Sequence, residues 1–282
     1  MRVLITGAAG QVGRELVHAF AGDDVTAADH TTLDVADRST VLATVTSTNP
    51  DVILHAGAWT AVDACESDAD RAFAVNALGT RHVAEAARRV NAHVIYFSTD
   101  YVFDGTKREP YHEWDVPNPR SVYGRSQLAG EHELAGDPDA AIVRLSWVCG
   151  RYGANMVKTV LRLAGEHREL AFVDDQRGHP TFAQDVAPIA RQLAAGRYSG
   201  VFHVTNQGVT TWYEFARAVL RAAGDDPSRV HPITTAELDP PRPAPRPANS
   251  VLDNLALRLE GLPLLPHYQA SLEQVVTELQ QS

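Results

Sequence analysis

Apolar and polar positions follow two different patterns along the first half of this chain. Short runs of mainly apolar residues occur at 3–5, 25–28, 52–55, 94–97 and 141–145. Between these runs, apolar residues recur every three or four positions, as Val12, Leu16 and Phe20 do. Continuous apolar runs are typical of strands buried on both faces, and the spacing between them favours helices. The alternation, without any hairpin signal, predicts an α/β fold with a doubly wound parallel sheet.

The first apolar run ends in a glycine-rich turn. Glycines stand at positions 7, 10 and 13, and a segment with helical spacing begins inside the same motif. Such a turn lets bare backbone approach a pyrophosphate, while the helix N-terminus offers N–H donors and a positive dipole end. The motif predicts a Rossmann-like dinucleotide site, with a plain turn as the alternative. The cofactor-binding residues expected here are Gly7, Gly10, Gln11, Val12 and Gly13.

Residues after the second and third strands complete the expected cofactor site. Asp29 lies about twenty positions beyond the glycine motif, where a carboxylate binds the adenosine ribose hydroxyls and favours NAD over NADP. An exposed loop aspartate is the alternative, and the neighbouring His30 is a candidate partner for a 2′-phosphate. Asp34 and Val35 are expected to flank the adenine. The residues after the third strand that would leave room for the ligand are Ala56, Gly57, Ala58 and Thr60.

Beyond Trp147 the regular alternation of strands and helices is lost. The spacing there predicts helices near 155–164, 185–195 and 212–223, and strands at 171–173 and 201–204. We therefore expect residues 1–147 to form a dinucleotide-binding domain, with 180–204 and about 232–238 returning to it. A smaller, discontinuous C-terminal substrate-binding domain would comprise 148–179, 205–231 and 239–282.

Composition and charge narrow the class of protein. The 282 residues are 44% hydrophobic and 21% charged, and the net charge of −10 argues against nucleic acid or anionic membrane as a partner. No apolar run approaches the ~20 residues of a membrane span. Cys65 and Cys149 lack CxxC spacing and are expected to be buried thiols of a cytoplasmic protein. The 12 histidines have no metal-ligand spacing, so we expect no metal site.

Several short motifs carry a family resemblance. They include AWTAVDACE (58–66), YGRSQLAGE (123–131) and RPANS (246–250). The specific ones are STDYVFDG (98–105) and VDDQ (173–176) followed by PT (180–181). With them, the chain resembles the extended short-chain dehydrogenase/reductases and, among these, the dTDP-4-dehydrorhamnose reductase family. The resemblance covers nearly the whole chain. It implies an enzyme of deoxysugar biosynthesis that uses NADH or NADPH to reduce a 4-keto sugar linked to dTDP.

The resemblance also implies roles for particular residues. Thr99 and Tyr123 match the catalytic hydroxyls of the family, and Ser98 falls at the same strand end. The positions matched to the substrate side are Asp100, Tyr101, Trp147, Asn155, Arg246 and Ser250. A tyrosine can donate the proton that the developing alkoxide needs, but its free pKa of about 10 makes it a slow shuttle at neutral pH. In such families a lysine four residues later lowers that pKa and holds the nicotinamide ribose.

Gln127 stands where that lysine is expected. Its amide can hydrogen-bond a ribose hydroxyl but brings no charge. Arg125 would lie on the opposite side of a helix, and the only two lysines, Lys107 and Lys158, are not at motif spacing.

Three interpretations of Gln127 stay open. The protein is a reductase that tolerates Gln127 or is slowed by it, or it is a non-catalytic NAD(P)-binding protein. The regulatory β subunit of methionine adenosyltransferase is the precedent for the second interpretation. In the third, Gln127 is an introduced substitution. A homodimer is compatible with all three.

Overall fold

The computed structural model describes residues 1–281. Its strands are β1 (Arg2–Thr6), β2 (Asp24–Ala28), β3 (Val52–His55), β4 (His93–Thr99), β5 (Ala140–Leu145), β6 (Val148–Cys149), β7 (Leu170–Val173), β8 (Arg177–Gly178), β9 (Thr181–Phe182), β10 (Gly200–His203), β11 (Thr210–Thr211) and β12 (Val230–Ile233). Its α-helices are α1 (Gln11–Ala19), α2 (Arg38–Thr48), α3 (Val62–Ser67), α4 (Ala69–Phe73), α5 (Gly79–Val90), α6 (Val122–Leu134), α7 (Met156–Glu166), α8 (Ala183–Gly196), α9 (Trp212–Ala222), α10 (Leu255–Leu259) and α11 (Tyr268–Gln280).

Six strands form one parallel sheet in the order β10-β5-β4-β3-β1-β2. In this sheet β1 pairs with β2 on one side and with β3 on the other. The winding of the chain reverses at this point, so a crevice opens where the carboxyl ends of β1 and β3 diverge. The predicted doubly wound parallel sheet is confirmed, including the return of the strand near residues 201–204.

Helices cover both faces of the sheet. On one face α1 and α8 pack together, and on the other α2 packs against α5. Alternate residues of β1 join the two cores, because Val3 and Ile5 belong to the first and Leu4 to the second. Burial on both faces explains why the central strands β1, β3, β4 and β5 are largely apolar.

The helix expected near residues 70–90 is interrupted. Between α4 and α5 the chain forms one turn of π-helix, Ala74–Leu78. Such turns are rare and occur frequently at functional sites. Asn76 lies in this turn and is only 1% exposed, so its polar side chain needs partners inside the protein.

The segment 232–238 does not return to the main sheet, contrary to expectation. β12 instead pairs in parallel with β7 in a separate two-stranded sheet. The outer edge of β10 is covered by other parts of the chain. Glu113 accepts hydrogen bonds from the backbone N–H groups of His203 (3.1 Å) and Ala256 (3.0 Å) there. With that edge covered, the strand pairs elsewhere.

A third hydrophobic core lies beyond the two cores of the sheet. It joins α7, α9 and α11 with β7 and β12, through residues such as Val160, Phe215 and Val275. Part of the C-terminal segment packs differently, because Leu257 and Leu265 join the core between the sheet and α8. Residues near 255–265 therefore pack on the main sheet, whereas 239–282 was expected to lie wholly outside it.

Candidate active site

The glycine-rich turn brings three backbone segments close together. Gly7 has a left-handed conformation with a φ of 67°, and a Cβ there would lie 2.5 Å from the Ala56 carbonyl oxygen. A Cβ on Gly13 would overlap the Gly7 carbonyl oxygen. Neither position has room for a side chain, so bare backbone forms the floor of the crevice.

The N-terminus of α1 follows this floor. Its N-cap residue is Gly10, in an extended conformation, and no side chain accepts a hydrogen bond from the first-turn N–H groups at the cap. These donors and the positive end of the helix dipole favour an anion. The turn and the helix together fit the pyrophosphate of a dinucleotide.

Two adjoining cavities open along the carboxyl ends of the strands. The outer cavity, about 620 Å³, brings together the predicted residues Gly7, Gly10, Asp29, His30, Asp34, Val35, Ala56, Gly57 and Ala58. The inner cavity, about 600 Å³, brings together Gln11, Val12, Gly13, Thr60, Ser98, Thr99, Asp100, Tyr101, Tyr123, Gln127 and Trp147. Both cavities are lined by Gly10, Ala56 and Ala58, so they form one continuous cleft.

Asp29 lines the outer cavity and also orders its own loop. Its Oδ1 accepts hydrogen bonds from the Thr31 hydroxyl (2.6 Å) and from the backbone N–H groups of Thr31 (2.9 Å) and Thr32 (3.1 Å). These hydrogen bonds, the one from the Thr31 hydroxyl foremost, lower the pKa of Asp29 to about 2. Within residues 1–281 they all use Oδ1, which leaves Oδ2 for a ligand.

Tyr123 and Thr99 reach the inner cavity from different elements. Thr99 ends β4, and Tyr123 lies in the first turn of α6, whose N-cap Ser121 accepts a hydrogen bond from the Gly124 N–H (3.0 Å). Burial raises the pKa of Tyr123 above its usual value of 10, and a hydrogen bond with Thr99 offsets part of this rise. The phenol is therefore protonated at neutral pH, which is the state a proton donor needs.

Gln127 lies one helical turn beyond Tyr123. Its side chain is 1% exposed, and its Oε1 accepts a hydrogen bond of 2.5 Å from the hydroxyl of Tyr96, a buried residue of β4. This bond sets the orientation of the amide, with the carbonyl oxygen on Tyr96 and the NH₂ group on the other branch. The side chain at the lysine position is thus held in place without a charge.

No alternative cation replaces the missing lysine among the described residues that line the inner cavity. Lys107 pairs with Asp115 at 2.5 Å, and Lys158 lies in α7. Arg125 is exposed and donates to the Arg120 carbonyl oxygen. The positions of Lys107, Lys158 and Arg125 therefore agree with the expectation from the sequence that none of them replaces the lysine.

Asn76 connects the two sides of the cleft. Its Oδ1 accepts a hydrogen bond from the Trp59 backbone N–H (2.7 Å), and its Nδ2 donates to the Trp59 carbonyl oxygen and to the Ser126 hydroxyl (2.9 Å). Ser126 in turn donates to the carbonyl oxygen of Tyr123. The π-turn thereby places one amide between the loop after β3 and the helix that carries Tyr123.

Asp100 and Tyr101 begin a 3₁₀ turn directly after β4. Asp100 is 1% exposed and accepts a hydrogen bond from the Ser146 hydroxyl at 2.9 Å. The Tyr101 ring meets the Tyr123 ring edge to face, with centroids 5.5 Å apart. Burial raises the pKa of Tyr101 to about 12. Both residues thus lie beside Tyr123, and their role near the substrate stays a prediction.

Arg246 does not line either cavity but forms an ion pair at the edge of the cleft. It contacts both carboxylate oxygens of Asp63 in α3, at 2.5 and 2.7 Å. The backbone N–H of Ala244 donates to the same carboxylate at 3.1 Å. The pKa of Asp63 is lowered, chiefly by the hydrogen bond from Arg246. This pair straps the C-terminal segment to the sheet domain across 183 residues of sequence.

Trp147 lines the inner cavity and is held between two other segments. Its ring stacks on Trp212 at the start of α9, with centroids 3.6 Å apart. A Cβ on Gly178 would lie 2.6 Å from the same ring. The stack therefore connects the end of β5 to the outer helices.

Asn155 and Ser250 have mainly structural partners in this chain. Asn155 caps α7, accepting a hydrogen bond from the Lys158 N–H, and it donates to the side chain of Gln11. It does not line either cavity. Ser250 is buried, donates weakly to the Arg177 carbonyl oxygen and contributes a hydrogen bond to Asp100. Asn155 was expected near the sugar; its side chain reaches Gln11 of the inner cavity, and its role toward the sugar stays a prediction.

A comparison with protein families agrees with this geometry. The family model described as RmlD substrate binding domain matches residues 1–281. The chain belongs to this family.

Curated relatives match over nearly their full length. A dTDP-4-dehydrorhamnose reductase from Streptomyces griseus is 42% identical over 280 residues, which cover 96% of this chain and 91% of the relative. A dTDP-4-keto-6-deoxy-D-glucose reductase from Streptomyces niveus is 39% identical over 278 residues, which cover 97% and 96% of the two chains. The predicted family is confirmed.

Solved structures of family members share the whole fold. A dTDP-4-dehydrorhamnose reductase from Clostridium acetobutylicum superposes with a TM-score of 0.94 at 40% identity, covering 99% of this chain and 100% of that one. The enzyme from Bacillus anthracis, solved in complex with NADP, has a TM-score of 0.94 at 37% identity and covers 98% of both chains.

Several residues of this family site were not found from the sequence. Asp63, Tyr96, Asn76 and Trp212 all contact or hold a predicted site residue, yet none has a pattern that sets it apart from a core or surface position. Arg71 lines the outer cavity with its guanidinium 4.6 Å from the centroid of the Trp59 ring. Asp63 and Trp59 did lie inside a motif of the resemblance, at residues 58–66, and that was the available signal.

Proposed function

We propose that this protein uses NADH or NADPH to reduce the 4-keto group of a dTDP-linked 4-keto-6-deoxysugar such as dTDP-4-dehydrorhamnose. The observation that carries the proposal is the meeting of a protonated Tyr123 with Thr99 in a cavity that begins at the glycine turn. The activities for which the relatives are named support the substrate class, and the complex of the Bacillus anthracis enzyme supports the cofactor class.

The residues of the glycine turn fit a dinucleotide. Side chains at Gly7 and Gly13 would fill the cradle, and the first turn of α1 offers free N–H donors for a pyrophosphate. We assign the Asp29 Oδ2 to the adenosine ribose and the Gln127 amide NH₂ to the nicotinamide ribose. The reduced nicotinamide, when bound, supplies the hydride.

Tyr123 supplies the proton in this proposal. Its phenol is protonated at neutral pH because burial disfavours the anion, and Thr99 lines the same cavity. A ketone oxygen placed against these two hydroxyls would accept the proton as negative charge develops on it. Asp100, Tyr101 and Trp147 would shape the pocket for the sugar ring.

Gln127 also favours a second candidate function. In the absence of an ammonium, nothing charged stabilises the phenolate that remains after proton donation, so the turnover of this site should be low. A non-catalytic NAD(P)-binding protein, similar to the β subunit of methionine adenosyltransferase, needs no such charge. The two functions differ in whether the sugar is turned over.

The test is the oxidation of NADH or NADPH in the presence of a dTDP-4-keto-6-deoxysugar. We expect slow turnover by the wild type and none by Tyr123→Phe. The change Gln127→Lys should raise kcat by about 10²-fold, because a positioned acid–base contribution is typically worth 10²–10⁴-fold. Dinucleotide affinity should change much less, since the charge acts mainly on the transition state.

Gln127→Met is the matched control, because it keeps the length of the side chain without a charge and should not raise kcat. The reductase function would be contradicted if the wild type and Gln127→Lys both bind the dinucleotide but turn over none of these sugars. The non-catalytic NAD(P)-binding function would then remain.

We also propose that the third core marks a substrate domain, which would be supported if α7, α9 and α11 lose amide protection together in hydrogen exchange. A cytoplasmic location and a homodimer stay predictions, the latter to be tested by sedimentation. Within residues 1–281, no helix has both the length and the apolarity needed to cross a membrane.

A further inference from the structure

The carboxyl group of Asp100 lies buried against the pair of hydroxyls that the proposed reaction uses. The Thr99 hydroxyl donates to its Oδ1 at 3.1 Å, and the Ser146 hydroxyl donates to its Oδ2 at 2.9 Å. Ser250, from the C-terminal segment, contributes a third hydrogen bond. Asp100 also lines the inner cavity together with Tyr123.

The surroundings of Asp100 contain hydroxyls but no cationic partner. Among residues 1–281, none of the charge pairs within 4 Å involves Asp100, and the titratable groups that face it are Tyr101 and Tyr123. Arg246, at the edge of the cleft, interacts with Tyr101 and is paired with Asp63. A carboxylate that is buried without a cation favours its protonated form. Accordingly, burial raises the pKa of Asp100 to about 6.

Thr99 lies between this acid and the proton donor. Its hydroxyl donates to Asp100 Oδ1 at 3.1 Å, and it lies within reach of the Tyr123 phenol, whose pKa it lowers. A hydroxyl can accept one proton while it donates its own, so Thr99 can pass a proton from a carboxylic acid to a phenolate. Gln127 cannot take part in this transfer, because an amide neither gains nor loses a proton near neutral pH.

We propose that Asp100 is the proton source that restores Tyr123 through the hydroxyl of Thr99. The proposal deepens the reductase function proposed above and rests on it. In this chain the transfer from Asp100 through Thr99 would supply the proton, because Gln127 stands at the lysine position.

Every proton in this step has a donor and an acceptor. Tyr123 gives its proton to the ketone oxygen while the hydride adds to the carbonyl carbon, which yields the alcohol and a tyrosinate. Asp100 then gives its proton to the Thr99 oxygen, and Thr99 gives its own proton to the tyrosinate. The Asp100 carboxylate regains a proton from water when the cleft opens after product release.

The proposed role of Asp100 predicts that kcat falls as the pH rises. Proton supply requires the protonated form of Asp100, so kcat should fall by about tenfold per pH unit above the pKa of this carboxyl group. Asp100→Asn should lower kcat by about 10²-fold, within the range of a positioned acid, and should abolish this decline. Thr99→Val should behave in the same way, and Thr99→Ser should restore both activity and profile because it keeps the hydroxyl.

Glu113→Gln is the matched control, because it removes another buried carboxyl group whose pKa is raised chiefly by burial, outside the cleft. Its pH profile should match that of the wild type. Infrared difference spectra give a readout that does not depend on turnover. The band of a protonated carboxyl group should titrate near pH 6 in the wild type and in Glu113→Gln, and be absent in Asp100→Asn.

The outcomes separate the two proposals. If the wild type turns over and Asp100→Asn keeps its rate or its pH profile, the proton-source role is overturned and the reductase function stands. The absence of an infrared band that depends on Asp100 would also overturn the role. A wild type that is inactive where Gln127→Lys is active would overturn the role alone. If neither the wild type nor Gln127→Lys turns over any of the sugars, the reductase function is overturned, and the role with it.

Discussion

The two halves of the cleft are built in different ways. The outer half consists mainly of backbone: a glycine turn, the first turn of α1 and the small residues after β3. The inner half consists of side chains from segments far apart in sequence, held by the Trp147–Trp212 stack and the Asp63–Arg246 pair. A backbone site tolerates little change at a few glycines, whereas a side-chain site divides its function among several contacts. Substitutions should therefore have different sizes and different readouts in the two halves.

The largest effect is expected from Gly13→Ala in the outer half. Its Cβ would overlap the Gly7 carbonyl oxygen and lie 2.7 Å from the Ala8 Cα, so the turn must move. Overpacking of this kind costs about 1–3 kcal/mol, and we expect dinucleotide affinity to fall by about 100-fold. Isothermal titration calorimetry measures this. Gly22→Ala, where nothing lies within 4 Å of the added Cβ, should bind as the wild type does. Equal binding by both variants would contradict a backbone-built cofactor site.

A smaller effect is expected from Arg246→Gln at the edge of the inner half. Loss of a charge-assisted hydrogen bond costs about 1.5–3 kcal/mol, so KM for the dTDP-sugar should rise by about 10- to 100-fold. Dinucleotide affinity should stay within about twofold of the wild type, because the pair lies outside the outer cavity. Arg242→Gln is the control, since Arg242 is exposed and comes no closer to Asp63 than 3.8 Å. An unchanged KM in Arg246→Gln would show that the Asp63–Arg246 ion pair does not help to bind the substrate.

The smallest effect is expected from Asp29→Ala. The preference for NADH over NADPH should fall by about tenfold, because the ribose loses a charge-assisted hydrogen bond and the repulsion of a 2′-phosphate disappears. The pKa of Asp29 is lowered to about 2, chiefly by the Thr31 hydroxyl, so the carboxylate is lost only as pH falls through that value. The contribution of the Asp29 carboxylate should therefore be constant above about pH 4, and a further change at about pH 6 would come from the 2′-phosphate of NADPH. Asp24→Ala, at the opposite end of β2, is the control. The assignment of Asp29 to the ribose would be contradicted if the protein binds NADPH more tightly than NADH and Asp29→Ala does not change this.

The sequence by itself determined the sheet and the outer half of the cleft. The runs at 3–5 and 52–55 are apolar because both faces of a central strand are buried. Gly7 and Gly13 mark the turn because no other residue has room there. Thr99 was singled out by the family resemblance, at the carboxyl end of a predicted strand. These features depend on residues close together in sequence, and their spacing records the local conformation.

Only the tertiary structure decided which side chains meet in the inner half. Arg246 reaches Asp63 over 183 positions, and the amide of Gln127 is held by Tyr96 from a neighbouring strand. Asn155 has a helix-capping role that its motif position did not reveal. The π-turn at Asn76 interrupts a helix whose apolar spacing looked continuous, and β12 pairs with β7 because the edge of β10 is covered. Such pairings depend on how separate elements pack in three dimensions, and the periodicity of a single segment carries no information about its partner.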